Sequence, residues 1–447
     1  MSSYPLIFCT VSGIIIRLAL FRTSLPDWIS LQPEVSTPLS SWERAMEGIA
    51  LKEYMISPYA GDLFHETPLV LRILGFMTSF SDNTILLMFV GLDALCLILM
   101  VKIANLYGGY LLKKQAKEVK RYATDSDTLI IKTDDLRIIQ FYVIVAFSLN
   151  PYSIAACLAK STAVFNNLSI LFIFYFMLKE NEYLCYLFIA MSAYLSIYPI
   201  TLCVPAAIFF MQSSKFRKNK TSDTEMSYTD SPAMFSYCRS VGLCVVMVAA
   251  LIVFSAFLEG SWSFISSTYG FILMVPDLTP NMGVFWYFFT EMFEHFRMFF
   301  ICVFQINVVI YTVPLSVKLK EHPVFLMYIL VSLICIFKSY PSYSDVGLML
   351  SLLPLWRYAF EYMRNSFVVA CMYICTTVFG PILYHLWIYA GSANANFYFA
   401  TSLAFSTAQI FLITDLLYAY LRREFDLENG FKHLIREDGT KKQVILD

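Results

Sequence analysis

Charge is scarce in this chain. Lys, Arg, Asp and Glu make up 15% of its 447 residues against 58% hydrophobic residues, whereas soluble domains carry roughly 25% charge. Such a composition excludes an ordinary soluble fold and calls for lipid as the main solvent. Clustered basic faces are missing too: 32 Lys+Arg balance 33 Asp+Glu to a formal charge of −1, so nucleic acid is not an expected partner. Short segments of alternating polarity, the mark of a closed barrel, do not occur. Histidine is limited to five residues, too few for a histidine-rich metal cluster. The 11 cysteines fall mostly within apolar runs, where a free thiol behaves as a small hydrophobe. Cys371 and Cys375 share a helical face, yet nothing nearby completes a metal site, so no metal and no cofactor is expected. The amino end lacks a basic region before its apolar core and carries Arg17 inside it, which reads as a first anchor rather than a cleaved signal. No internal repeat and no second soluble domain is visible.

What the chain does have is long apolar runs: Leu86–Val101, Ile138–Leu149, Ala163–Met177, Leu184–Met211, Val241–Phe257, Met298–Val317 and Phe367–Ile388. A helix needs about 20 such residues to cross a bilayer, so the expected fold is an all-α polytopic membrane protein. Basic residues collect on the cytoplasmic side. They are richest in the 107–137 and 212–239 loops, near Lys318 and Lys320, across Arg357 to Arg364, and from Arg422–Arg423 onward. The opposite loops, 22–83, 259–297, 338–345 and 389–397, are poor in basic residues and rich in Trp, Tyr and Pro. Alternation between the two sides predicts about twelve crossings with both termini cytoplasmic, in one multi-span domain over 1–425 and a tail over 426–447. This requires a hairpin near 183–211, broken where Tyr198-Pro199 and Pro205 favour a turn. The span near 346–356, interrupted by Pro354, is the least regular. An Asn219-Lys220-Thr221 acceptor pattern in the serine-rich 212–236 loop stays unmodified if that loop is cytoplasmic.

Polar residues in the exterior loops are the candidates for function. Arg44 and Glu47 fall at helical spacing around Ala45 to Leu51, which predicts a helix on the membrane surface. Asp62, His65 and Glu66 follow, as ligands or acid–base groups, or simply as a solvated loop with helix caps. Over 283–296 the sequence predicts an interfacial helix with Glu291, Glu294 and His295 at i, i+3 and i+4 on one face. A metal site is one explanation. The favoured one is an interfacial helix whose acids face water or a polar lipid head. In the last exterior loop, His385, Trp387, Tyr389 and Tyr398 frame "AGSANAN", where Asn394 and Asn396 can donate and accept hydrogen bonds without charge. That suits sugar hydroxyls, although such a loop is also an ordinary turn. Within the apolar region, Lys160, Asn166 and Asn167 lie in "LNPYSIAACLAKSTAVFNN", either facing a cavity or forming a short connection. Lys338 is an exterior cation able to meet a phosphate or to snorkel.

The long first loop and "SPYAGDLFHETPL" resemble the dolichol-phosphate-sugar glycosyltransferases of the C type, notably the PIG-M-like first mannosyltransferase of glycolipid-anchor synthesis. The Asp-x-Asp pair of that class is absent, since the corresponding stretch reads "TPLSSWERA". The resemblance implies the arrangement and counts against the chemistry. A second resemblance covers most of the chain. "ALFRTSLPDWIS", "NPYSIAACLAKSTAVFNN", "FILMVPDLTPNMGVFWYFFTEMFEHF", "VFQINVVIYTVPLSVKLKEHPVF", "FKSYPSYSDV" and "HLWIYAGSANANFYFA" look like the PIG-U family of glycosylphosphatidylinositol (GPI) transamidase subunits. That resemblance implies a multi-pass protein of the endoplasmic reticulum membrane, acting beside the PIG-K cysteine protease, PIG-T, PIG-S and a GPAA-type subunit. Catalysis then belongs to PIG-K, and this chain presents the GPI glycolipid and scaffolds the complex. It also implies a lipid-recognition role for Glu291, Glu294 and His295, with headgroup contact at Asn394 and Asn396. Two other functions remain open: a glycosyltransferase using Asp62 and Glu66, and a lipid transporter or scramblase.

Overall fold

The computed structural model describes residues 4–218 and 231–431. The Asn219 acceptor pattern and the tail beyond residue 431 lie outside the described residues. Helices make up the architecture, and no strand occurs among the described residues. Five helical segments are long and apolar enough to cross a membrane: Asp82–Arg121, Tyr237–Glu259, Glu294–Lys318, Ser366–Ile388 and Ala395–Asn429. A sixth is added if Asp127–Ser148 and Pro151–Leu158, bent by 42°, form one span. Shorter apolar helices at Phe8–Leu20, Pro68–Met77, Ala163–Leu178 and Pro323–Phe337 complete the bundle.

Proline explains much of the fragmentation. Pro151 opens its helix behind Asn150, whose side chain accepts the Tyr152 amide at 3.0 Å, the usual way to satisfy an orphan N–H at a helix start. Glu182–Ser196 stops before Pro199, and a tight 3-10 turn over Tyr198–Leu202 leads into Cys203–Lys218, as the sequence requires. Near Pro354, Tyr343–Leu352 gives way to a 3-10 segment over Leu353–Tyr362. That irregular stretch belongs to the core: Trp356 is fully buried and packs on Tyr328 at 4.2 Å and Phe325 at 5.6 Å. The Asp82–Glu118 helix has 37 residues, which at 1.5 Å per residue exceeds the bilayer core by about 25 Å. It therefore carries helix well into the 107–137 region, and Ala395–Asn429 likewise continues past residue 425.

A charged hub pins the first helix. Arg17, 3% exposed, meets Asp93 at 2.6 Å and donates to the carbonyls of Gly13 and Ser148 and to the Ser153 hydroxyl. Four groups thereby saturate the guanidinium fork, which is how an interior charge is tolerated. Gly13 is needed for this approach, because a Cβ there would lie 2.7 Å from that of Ser148.

The first long loop folds against the 259–281 segment. Its surface helix forms over Trp42–Glu53, burying Ala45, Gly48 and Ile49, close to the expected span. Arg44 pairs with Asp277 at 2.9 Å and Lys52 with Glu259 at 2.5 Å. His65 lies with one ring nitrogen 2.8 Å from the Ser267 carbonyl and the other 3.0 Å from that of Asp62, stacked on Phe271. These contacts hold the loop as a cap on one end of the bundle.

Candidate functional site: an aromatic rim at one end of the bundle

Ser366–Ile388 and Ala395–Asn429 are antiparallel neighbours joined by the 389–394 turn, in which Gly391 adopts φ +63. Both helices are long and apolar enough to cross a bilayer, and the turn joins their adjacent ends. Asn394 caps the second helix, its side chain accepting the Asn396 amide at 3.1 Å. Against this turn lies a short helix over Phe285–Glu291. The Tyr287 hydroxyl donates to Asn396 Oδ1, and the Tyr287 ring stacks on Phe399 at 4.3 Å. Trp286 stacks on Trp387 at 6.2 Å and lies 5.9 Å from Tyr398. Tyr384 touches Trp387, Tyr389 and Tyr398, and His385 stacks on Tyr389 at 5.2 Å. The result is a rim of π faces interleaved with uncharged amides, with Tyr389 and Phe397 more than half exposed. Aromatic rings of this kind sit at headgroup depth, and Asn side chains supply both donors and acceptors to hydroxyl ligands.

The rim brings together Asn394, Asn396, His385, Trp387 and Tyr389, and joins them to Glu291 through the Phe285–Glu291 helix. One expectation is corrected. Glu291, Glu294 and His295 do not share a helical face: Met292 is extended (φ −81, ψ 144), and a new helix begins at Glu294. The break follows from packing. Phe285 and Phe289 are buried and contact Phe304 from one side, and a straight helix through residue 296 could not both make that contact and enter Glu294–Val309. Glu291, Glu294 and His295 are all exposed, Glu294 lies 3.9 Å from Arg297, and His295 meets Phe296.

The remaining candidates lie elsewhere. Lys160, in the left-handed region at φ +52, holds its ammonium 5.6 Å from the centre of the Trp42 ring. Asn166 accepts from Ser192 at 2.7 Å, and Asn167 donates to the carbonyl and hydroxyl of Ser344, so both tie helices together. Lys338 meets Asp345 at 2.7 Å, and Asp345 also accepts from the amide and hydroxyl of Ser342. This knot occupies the Lys338 charge. Asp62 is exposed, whereas Glu66 takes the Thr162 hydroxyl on its carboxylate.

Sequence reasoning missed what lies under the rim. Glu34 is fully buried, its Oε1 accepting the Tyr398 hydroxyl at 3.1 Å and its carbonyl accepting the Tyr343 amide at 2.8 Å. Burial pushes its carboxyl up to about 7, against the opposing hydrogen bonds from its own backbone and Tyr398. Its sequence neighbourhood, "LQPEVSTP", reads as an ordinary polar loop, and only the fold shows it covered.

Among the described residues, no group of three or more His, Cys, Asp or Glu side chains is arranged to hold a metal ion. A family model described as the GPI transamidase subunit PIG-U matches residues 11–405. The chain is similar to the human protein named GPI-anchor transamidase component PIGU, at 44% identity over 99% of each chain. It is also similar to GPI transamidase component GAB1 of Saccharomyces cerevisiae, at 29% identity over 92% of this chain and 94% of the yeast one. A GAB1 homolog of Schizosaccharomyces pombe is 30% identical over 90% of each chain. Matched along nearly its whole length, the chain belongs to the PIG-U family of GPI transamidase subunits.

Proposed function

We propose that this chain is a non-catalytic membrane subunit of the GPI transamidase that receives the GPI glycolipid at the aromatic rim and presents its head to a catalytic partner. The observation that carries the reading is the joining of Trp286 and Tyr287 to Trp387, Asn394 and Asn396 at a membrane end. Flat π faces suit the apolar faces of sugars, and amides suit their hydroxyls. Acyl chains would lie along the exposed apolar flanks, where Phe367, Val378 and Phe379 of the Ser366–Ile388 helix point outward. The partners are the other transamidase subunits, PIG-K, PIG-T, PIG-S and a GPAA-type chain, in the endoplasmic reticulum membrane. The rim then faces the lumen and both termini the cytoplasm. About twelve crossings in a PIG-M-like arrangement accommodate this, provided the shorter apolar helices and their flanking turns complete further spans.

The environment of the histidines supports assigning bond chemistry to a partner. A nucleophilic cysteine needs a base within hydrogen-bond reach. Among the described residues, His65 lies between two backbone carbonyls, His322 takes Lys114 and Tyr420 on Nδ1, His385 stacks on Tyr389 and His295 meets Phe296. The Asp62–Glu66 alternative lacks the Asp-x-Asp spacing of the glycosyltransferases it would resemble. The test uses cells lacking this chain, complemented with a Tyr287→Ala, Asn396→Ala double variant. Anchored reporter at the cell surface is expected to fall several-fold while the variant still co-purifies with the cysteine-protease subunit. Full surface display by the double variant would remove the site assignment.

A further inference from the structure

A cavity of about 20 Å³ lies inside the bundle, and none of the rim residues belongs to its wall. The Asp82–Glu118, Pro151–Leu158, Ala163–Leu178 and Tyr343–Leu352 helices contribute to that wall, together with Ser161 in the turn between the second and third of them. Most of the wall is apolar. Two of its polar atoms have no hydrogen-bond partner among the described residues: the Ser161 hydroxyl and Asn167 Oδ1. Both side chains are more than nine-tenths buried, Ser161 being 2% and Asn167 8% exposed. Native interiors leave few such groups unpaired.

The other polar side chains of the wall are engaged. Arg17 holds Asp93 at 2.6 Å and donates to the Ser153 hydroxyl at 3.0 Å. Asn167 Nδ2 donates to the Ser344 carbonyl at 3.1 Å and to its hydroxyl at 3.0 Å. A carbonyl only accepts, so the amide nitrogen of Asn167 must be the atom on the Ser344 side, and the atom left over is an acceptor. These facts define the guest narrowly. It must give a proton to Asn167 Oδ1 and pair with the Ser161 hydroxyl. A halide has no proton to give. A metal ion would add an unpaired charge to a wall whose single charged residue, Asp93, is already answered by Arg17, and burying such a charge is costly. A water both donates and accepts, and it needs roughly 10–15 Å³ and at least two polar partners.

We infer that this cavity is a structural water site, in which one buried water bridges the Ser161 hydroxyl to Asn167 Oδ1 and fastens the 159–162 turn to the Ala163–Leu178 helix. That turn is under strain and under load. Lys160 takes φ +52, a left-handed backbone that is unfavourable for a residue with a side chain. Thr162 holds the first long loop, its amide donating to the Ser40 carbonyl at 3.2 Å and its hydroxyl to the Glu66 carboxylate. The bridge therefore positions the cap over the bundle end, and it does so whether or not the rim binds a headgroup.

The experiment is a cryo-EM map of the assembled complex at a resolution that shows ordered water. A peak is expected within about 3.2 Å of both Ser161 Oγ and Asn167 Oδ1. No peak there, in a map that shows other buried waters, overturns the site. So does a peak ringed by several oxygens at about 2.3–2.6 Å, the spacing of a bound cation. Ser161→Ala supplies a second readout in which the two cases have opposite signs. A buried hydroxyl with no partner destabilises a fold, so removing it from a dry cavity raises the unfolding temperature of the chain in nanodiscs. Removing it from a bridged site leaves Asn167 Oδ1 and the water short of a partner. The unfolding temperature is then expected to fall by about 1–2 °C, and amide hydrogen exchange over residues 37–66 to quicken several-fold. An unchanged or raised unfolding temperature overturns the bridge.

Discussion

At the scale of single residues, several interior charges of this protein are answered by neighbouring groups. Arg17 is the clearest case, with Asp93 and three further acceptors filling its fork. Removing one partner of a buried pair leaves the other uncompensated, so Arg17→Met is expected to destabilise the chain by about 3–5 kcal/mol in thermal unfolding. The Arg17→Met, Asp93→Leu pair should recover much of that loss. Glu34 behaves differently, because its carboxyl is held up to about 7 by burial. Between the ordinary carboxylate range and pH 7 the folded state binds more protons than the unfolded one, and stability falls as pH rises through that window. In phosphatidylcholine discs the unfolding temperature is therefore expected to drop between about pH 5 and pH 7 and to level off above it, and Glu34→Gln to flatten that drop. An unchanged pH profile in the variant would show that Glu34 is not the group responsible. Arg17 was visible in the sequence as an oddity within an apolar run, but its partner 76 residues away was not, because pairing across helices leaves no local pattern.

At the scale of elements, local rules read the chain well where caps and prolines act. The Trp42–Glu53 surface helix and the turn at Tyr198–Leu202 lie where periodicity and proline placed them. They failed over 283–296, where continuous helical spacing hid a break at Met292 that tertiary packing of Phe285 and Phe289 on Phe304 imposes. The paired asparagines have different partners. Asn394 caps a helix and Asn396 faces Tyr287. Asn394→Ser keeps a capping oxygen and is expected to leave stability near wild type, whereas Asn394→Ala costs about 1 kcal/mol. Neither change should matter to thermal unfolding if the cap is unimportant, which makes the pair a direct check. Asn396→Ala, by contrast, is expected to act on glycolipid binding with little effect on unfolding.

At the scale of the whole molecule, composition alone indicated an all-helical membrane protein, and four of the seven apolar runs, Leu86–Val101, Val241–Phe257, Met298–Val317 and Phe367–Ile388, fall in helices long enough to span. The expected number of crossings was less legible, because several apolar helices have 17 residues or fewer and continue only through bends, 3-10 turns or loops. The site was legible in part: the "FWYFF" and "AGSANAN" stretches were recognisable as polar and aromatic rim, but their contact with each other and with Glu34 depends on folding segments separated by more than 100 residues. Lys338 and Asn167, equally conspicuous in sequence, turn out to be spent on internal pairing with Asp345 and Ser344. The proposed headgroup site is one end of the bundle, capped by the first loop and edged by the 389–394 turn.

The central claim is that this end holds the glycolipid head. Its most direct test is site-specific photocrosslinking in the assembled complex, with a photoreactive residue at Phe397 on the rim or at Phe254, an exposed position on the Ser231–Glu259 helix. The account predicts that a GPI glycolipid carrying a tagged sugar head crosslinks at position 397 and not at 254. Equal labelling at both positions, or labelling at 254 alone, would contradict it.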